Sequence, residues 1–191
     1  MPKLSSKQDQ IAAALRDELE SKTFDQITVT DICRKSKCSR QSFYYYFTSL
    51  SDCLVYYFLQ ERSLKGQFSS YRETALYFFE YVYRNRNFIT NIFTANNQVM
   101  SIMNFFFKNI QTSMGRLMEM NNPDSKNLRP EDKEYIISYF ASAWSFSFIN
   151  WIHNGFQTTP EQEVERMFVI ADGSLIEASN RFIRYRKESK I

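Results

Sequence analysis

The stretch Thr28-Val-Thr-Asp-Ile-Cys-Arg-Lys-Ser-Lys-Cys-Ser-Arg-Gln-Ser-Phe-Tyr-Tyr-Tyr-Phe47 reads as two short helices joined by a tight turn. Thr28 opens the first helix: its hydroxyl can cap the N-terminal amides, and Asp31, three residues on, completes a variant capping box. Ser39 stands in the same position before the second helix. Val29, Ile32, Cys33 and Ser36 recur at helical spacing, and so do Phe43 and Phe47. Two capped helices with a short connection fit a helix-turn-helix, whose second helix enters the DNA major groove. That second helix carries Arg40, Gln41, Ser42, Tyr44 and Tyr45, residue types that reach base edges and phosphates.

Charge points the same way. Between Ile32 and Ser51 stand Arg34, Lys35, Lys37 and Arg40 and no acidic residue, while the 191-residue chain carries only +3 overall. The positive charge is therefore local. Charge runs are usually solvated surface, but beside a capped helix pair a local basic face attracts a duplex and makes binding salt-dependent.

These residues resemble the DNA-binding domain of the TetR family of bacterial transcription regulators. The family pattern stands here as Ile27-Thr28-Val29-Thr30-Asp31-Ile32, Cys38-Ser39 and Phe43-Tyr44-Tyr45-Tyr46-Phe47. By this resemblance Thr28, Ser39, Tyr44 and Tyr45 touch phosphates, and Arg40, Gln41 and Ser42 sit nearest base edges. Thr30 and Lys37 complete the expected DNA-binding set. The family often has Gly where Lys37 stands; a non-Gly residue takes a left-handed conformation only at some cost, so the turn is expected to be either slightly strained or of a different type. It also often has a phosphate-contacting Lys where Leu50 stands; Lys37 or Arg40 is expected to take over that contact. The run Arg40-Gln41-Ser42-Phe43-Tyr44 further resembles a subgroup that includes activators of dihydroxyacetone kinase operons, and Trp151 to Gly155 with Thr159-Pro160-Glu161 resembles a helix junction common in TetR-type regulatory domains.

Composition predicts an all-α fold of about nine helices. Only four Gly and four Pro occur, too few for a turn-rich β sandwich. We expect a helix-turn-helix, three-helix DNA-binding domain over residues 1–50 and a helical ligand-binding and dimerisation domain over 51–191. Helix 4 starts near Leu50 and runs to about Leu64; a break is expected at Arg84-Asn85-Arg86-Asn87, and a loop over Asn121 to Asn127. Helix 8 opens at Pro130 and stops at Gly155, and helix 9 runs from Pro160 to about Arg186 with Gly173 in its interior for close packing. Ala143 and Ala178 are expected in a seam through which the last two helices form a homodimer.

Eighteen Phe and twelve Tyr supply large apolar surfaces. Tyr77, Tyr81, Phe106, Phe107, Trp144 and Phe148 are the candidate lining for an apolar or aromatic small-molecule effector, although such stripes normally fill cores. Membrane-length apolar runs and a signal peptide are lacking, so a cytoplasmic location is expected. In a reducing compartment Cys33, Cys38 and Cys53 serve as small core hydrophobes; the five-residue spacing of Cys33 and Cys38 also permits a thiol switch. The only histidine, His153, is far from them in sequence, so no metal or other cofactor is expected. Phosphate-loop and hydrolase motifs are lacking, which disfavours an enzyme. The expected function is a ligand-responsive repressor binding a palindromic operator as a homodimer. The alternative is an activator or co-activator controlled by a protein partner.

Overall fold

The computed structural model describes residues 6–61, 70–93, 100–171 and 173–189. Among these residues there are ten α-helices and no strand: α1 (Lys7–Glu18), α2 (Val29–Ser36), α3 (Arg40–Tyr46), α4 (Leu50–Gln60), α5 (Tyr71–Arg84), α6 (Arg86–Phe93), α7 (Met100–Asn121), α8 (Pro130–His153), α9 (Pro160–Ala171) and α10 (Ser174–Ser189). The all-α expectation holds. The sequence pattern also starts a seventh helix at Asn97; that residue and the extension of α4 to Leu64 lie outside the described residues.

Most boundaries follow local chemistry. Ser6 and Asp9 form a capping box at the start of α1. Asn85 alone separates α5 from α6, and its amide turns back to the Tyr81 carbonyl at 2.8 Å. Pro130 occupies the first turn of α8, and Gly155, at φ +69°, terminates it as a left-handed residue. The expected loop after α7 contains a short 3-10 turn, Pro123–Asn127, capped by the buried side chain of Asn122.

The expected single helix from Pro160 to Arg186 is two helices. Gly173 adopts φ +71°, which no α-helix interior accommodates, and its carbonyl accepts from the Glu177 N–H at 2.8 Å to begin α10. Close approach is not its reason: a Cβ built on Gly173 meets nothing within 4 Å. The left-handed backbone is what requires glycine.

The chain forms two compact units, residues 1–67 with 77–105 and residues 68–76 with 106–191. In the first, α1 packs on α2 and α4. Ile11, Leu15, Leu19, Phe24, Ile32, Phe43, Phe47 and Leu54 are buried there, as are Phe88, Ile89 and Ile92 of α6. Polar contacts join α1 to α6: Arg16 donates to Asn85 Oδ1 at 3.2 Å and lies 5.2 Å over the Phe88 ring, while Asn91 donates to the Leu19 carbonyl at 2.9 Å. Tyr57 of α4 donates to Glu61 at 2.9 Å and is hydrogen-bonded to Tyr81. Burial first, and the Glu61 carboxylate second, push the Tyr57 hydroxyl up to about 12.

The second unit is centred on Met114, Met118, Ile136 and Leu175, with Phe140, Trp144, Ala178 and Phe182 packed against them. Ala178 is half-buried and packs against this core within the single chain. Its small side chain leaves room for the surrounding large ones. Arg186 of α10 makes a two-pronged pair with the buried Asp132 of α8, at 2.7 and 3.0 Å, and holds that carboxyl below the usual carboxylate range.

We predict that Gly173→Ala lowers stability by about 1–2 kcal/mol, the cost of a left-handed alanine, without any clash. Urea unfolding of the purified variant measures it; an unchanged midpoint contradicts the backbone argument.

Candidate nucleic-acid interface

The interface begins with how α2 is held at both ends. At its start the Thr28 N–H and hydroxyl both donate to Asp31 Oδ2, at 3.0 and 2.6 Å, and the Asp31 N–H donates back to Thr28 Oγ1 at 3.2 Å. Arg34 donates to the other carboxylate oxygen at 2.7 Å. Bonds from the Thr28 hydroxyl, and then from its backbone N–H, hold the Asp31 carboxyl below its usual range. The capping box read from the sequence is thus formed, and it engages the Thr28 hydroxyl proton.

At its end α2 closes in a Schellman motif. Lys37 adopts φ 51°, ψ 51°; the Cys38 N–H donates to the Cys33 carbonyl at 2.9 Å and the Lys37 N–H to the Arg34 carbonyl at 3.4 Å. Of the two expectations for this turn, the left-handed one is found. A contact invisible in the local sequence supports it. The Lys7 ammonium, from α1, donates to the carbonyls of Ser36 at 2.7 Å and Lys37 at 3.0 Å. It supplies charge-assisted donors to the negative end of α2. Lys7 lies about thirty residues away in sequence and carried no motif signal.

Ser39 then caps α3, accepting from the Ser42 N–H at 3.0 Å, and its own hydroxyl proton is left as a donor. Phe43 and Phe47 anchor α3 by full burial. With those rings inward, Arg40, Gln41, Tyr44 and Tyr45 face solvent. Tyr45 is 81 % exposed, its ring set edge-on to Tyr46 with centroids 4.9 Å apart. Thr28, Thr30, Lys37 and Ser39 are exposed as well, and Ser42 is half-buried. Large polar-tipped aromatics left in solvent beside cations suit a phosphate surface.

The four cations are not equivalent. Arg34 is paired with Asp31, and Lys35 lies 3.1 Å from Glu18, which also holds Lys22 at 2.7 Å. Lys37 and Arg40 have no carboxylate partner among the described residues. The basic stretch therefore offers two uncompensated charges, both at the turn and the start of α3.

The six effector candidates are divided between the two units. Tyr77 and Tyr81 belong to the first, and Phe106, Phe107, Trp144 and Phe148 to the second. Phe106 and Phe148 are buried with ring centroids 6.1 Å apart, while Trp144 packs edge-on against Phe168 at 5.3 Å. Phe107 is half-buried. Among the described residues, no cluster of His, Cys, Asp and Glu suits a metal, and no helix is long and apolar enough to cross a membrane.

A capped helix pair that leaves a cationic, aromatic face on its second helix defines a helix-turn-helix protein. The description "Transcriptional regulator C-terminal region", a TetR-type family, matches residues 69–173, just over half of the chain. The chain belongs to the TetR family of transcriptional regulators, proteins that bind DNA and are not enzymes. No curated protein sequence matches the chain. Among solved structures, its fold is similar to that of "Dihydroxyacetone kinase operon activator DhaS", with a TM-score of 0.62, 22 % identity, and coverage of 92 % of this chain and 97 % of the other.

Lys37→Gly is predicted to act in opposite directions on two properties. Relief of the left-handed side chain raises stability by about 0.5–1 kcal/mol. Loss of an uncompensated cation flattens the dependence of log affinity on log salt by about 0.9. Lys35→Gln, whose charge is already paired, leaves that slope unchanged. Salt titrations of duplex binding by fluorescence anisotropy separate the two.

Proposed function

We propose that this protein acts in the cytoplasm as a homodimeric repressor that binds a palindromic operator and is released by an apolar or aromatic effector. The observation that carries the DNA-binding part is the face of α3, where Arg40, Gln41, Tyr44 and Tyr45 are exposed beside the unpaired cation Lys37. Arg40 and Gln41 are assigned to base edges with Ser42, and Ser39, Tyr44, Tyr45, Thr30 and Lys37 to the backbone. Thr28 joins them only if its hydroxyl leaves Asp31 for a phosphate. Residues 1–50 carry the DNA-reading function and residues 51–191 the effector and dimer functions.

Reading two half-sites requires two copies. Support for dimerisation comes from α8, where Tyr135, Tyr139 and Phe146, the last 73 % exposed, recur at helical spacing beside exposed Ala143. Val169 and Ile170 of α9 and Tyr185 of α10 are exposed too. So much apolar surface on one unit is the mark of an interaction site. Tyr77, Tyr81, Phe106, Phe107, Trp144 and Phe148 are kept as candidate effector contacts, each within its own unit. A ligand weakens DNA binding only as far as it prefers the unbound conformation.

The second reading is activation or co-activation controlled by a protein partner, and one finding favours its activating half: a solved structure of similar fold is titled an operon activator.

Selection of bound sequences from random duplex DNA tests the proposal; a two-fold symmetric site is expected. Arg40→Ala should cost about 1–3 kcal/mol on that site and relax discrimination at one position per half-site. Unchanged discrimination overturns the placement of α3. Phe146→Glu should leave the fold intact, because Phe146 is exposed in the single chain, yet shift sedimentation from dimer to monomer. Ala178→Glu, by contrast, should also lower the stability of the second unit, because it sets a carboxylate against that unit's core. A wild-type monomer at micromolar concentration removes the dimer. Reporter transcription in cells with the gene deleted decides the sign: a rise supports repression, a fall activation.

A further inference from the structure

Two cysteines stand at special positions of the turn that feeds the DNA-reading helix. In a Schellman motif the sixth residue turns back onto the first, and their side chains meet. Here the first is Cys33 and the sixth is Cys38, joined through the backbone by the 2.9 Å bond between the Cys38 N–H and the Cys33 carbonyl. Their side chains are hydrogen-bonded to each other. The two thiols are unequal. Cys33 is buried in the core of the first unit, whereas Cys38 is half-exposed and takes a hydrogen bond from the Ser36 hydroxyl at 3.2 Å. A packing role alone asks for one small apolar residue at each position, and gives no reason for the outer, partly wet one to be a thiol.

We propose that Cys33 and Cys38 form an oxidation site for hydroperoxides, with Cys38 as the attacked thiol and Cys33 as the resolving one. The reasoning extends the DNA-binding reading above, but its chemical step stands apart from it. The Cys38 sulfur attacks one peroxide oxygen and the O–O bond breaks. That oxygen stays on sulfur as a sulfenic acid, and the other leaves as water or alcohol with the thiol proton. The Cys33 sulfur then attacks Cys38, the S–O bond breaks, a second water leaves with the Cys33 proton, and a disulfide closes. The peroxide gains the two electrons that the sulfur pair loses. Burial, then the Cys38 neighbour, push the Cys33 thiol up to about 11.

Closing the bond draws two neighbouring sulfurs to covalent distance. It also removes the Ser36–Cys38 hydrogen bond. The residues that must yield are Lys37 and Ser39, between and beside the cysteines, and Arg40 follows. Oxidation therefore displaces the positions assigned to DNA. Cys53, fully buried in α4, is the nearest alternative partner, and its thiol is pushed well up by burial.

The test treats the full-length reduced protein with hydrogen peroxide. Peptide mass spectrometry should find a Cys33–Cys38 disulfide, and amide exchange should quicken across residues 33–42. Affinity for a random-sequence duplex at low salt should fall about tenfold and recover with dithiothreitol. Cys33→Ala should stop at a dimedone-reactive Cys38, Cys38→Ser should be inert, and Cys53→Ser should behave as wild type. Untouched thiols, or a Cys38–Cys53 disulfide, overturn the assignment. A Cys33–Cys38 disulfide with unchanged exchange and affinity overturns the displacement. If neither redox state binds DNA, the proposed function fails, while mass and exchange still decide the oxidation site.

Discussion

The direction in which α3 leaves α2 is set by one residue held in left-handed backbone. Lys37 makes the turn, two backbone bonds close it, and the Lys7 ammonium occupies the last carbonyls of α2. A non-glycine left-handed residue costs about 1–2 kcal/mol, so the motif has to be over-determined to persist. It is: the Thr28–Asp31 box fixes one end of α2, Ser39 caps α3, and Phe43 and Phe47 are clamped in the core. Everything presented by α3 inherits its position from this corner.

Charge is distributed by the same economy of geometry. Glu18 and Asp31 neutralise Lys35 and Arg34 on the body of α2, leaving Lys37 and Arg40 where the chain turns. A field confined to the corner orients an approaching polyanion better than four evenly spread charges, because exposed charges further away than a Debye length, ~8–10 Å, are screened. Glutamate and aspartate placement thus sharpens the basic face as much as lysine and arginine create it.

What could be read from the sequence was what local chemistry decides. The caps at Thr28 and Ser39, the stop at Gly155 and the break at Asn85 each depend on residues within one helical turn. Tertiary matters were read less well. Gly173 was read as a packing glycine because periodicity continues on both sides of it, and only its backbone angle distinguishes a break. Ala178 and Ala143 look alike in sequence, yet one packs half-buried against a core and the other is exposed in the single chain, since helical periodicity does not say which apolar face meets which neighbour. The exposed set on α3 was legible because Phe43 and Phe47 fix its inward face. Lys7 and the pairing of Lys35 with Glu18 were not, because both bridge helices. The effector candidates rested on aromatic content alone, and the two compact units divide them.

The link from α1 to α6 bears on how such a protein can be rearranged. Arg16 reaches Asn85, Asn91 holds the Leu19 carbonyl, and the Phe88 ring sits 5.8 Å from both Tyr57 and Phe58 of α4. The helices around the corner are consequently not a detachable cassette. A chimera joined at residue 50 would place a foreign chain against Leu15, Leu19 and Phe24 and leave Arg16 facing whatever arrived there. Transplanting the DNA-reading helices is therefore easiest where α1, α4 and α6 travel together, because α6 packs against both of the others.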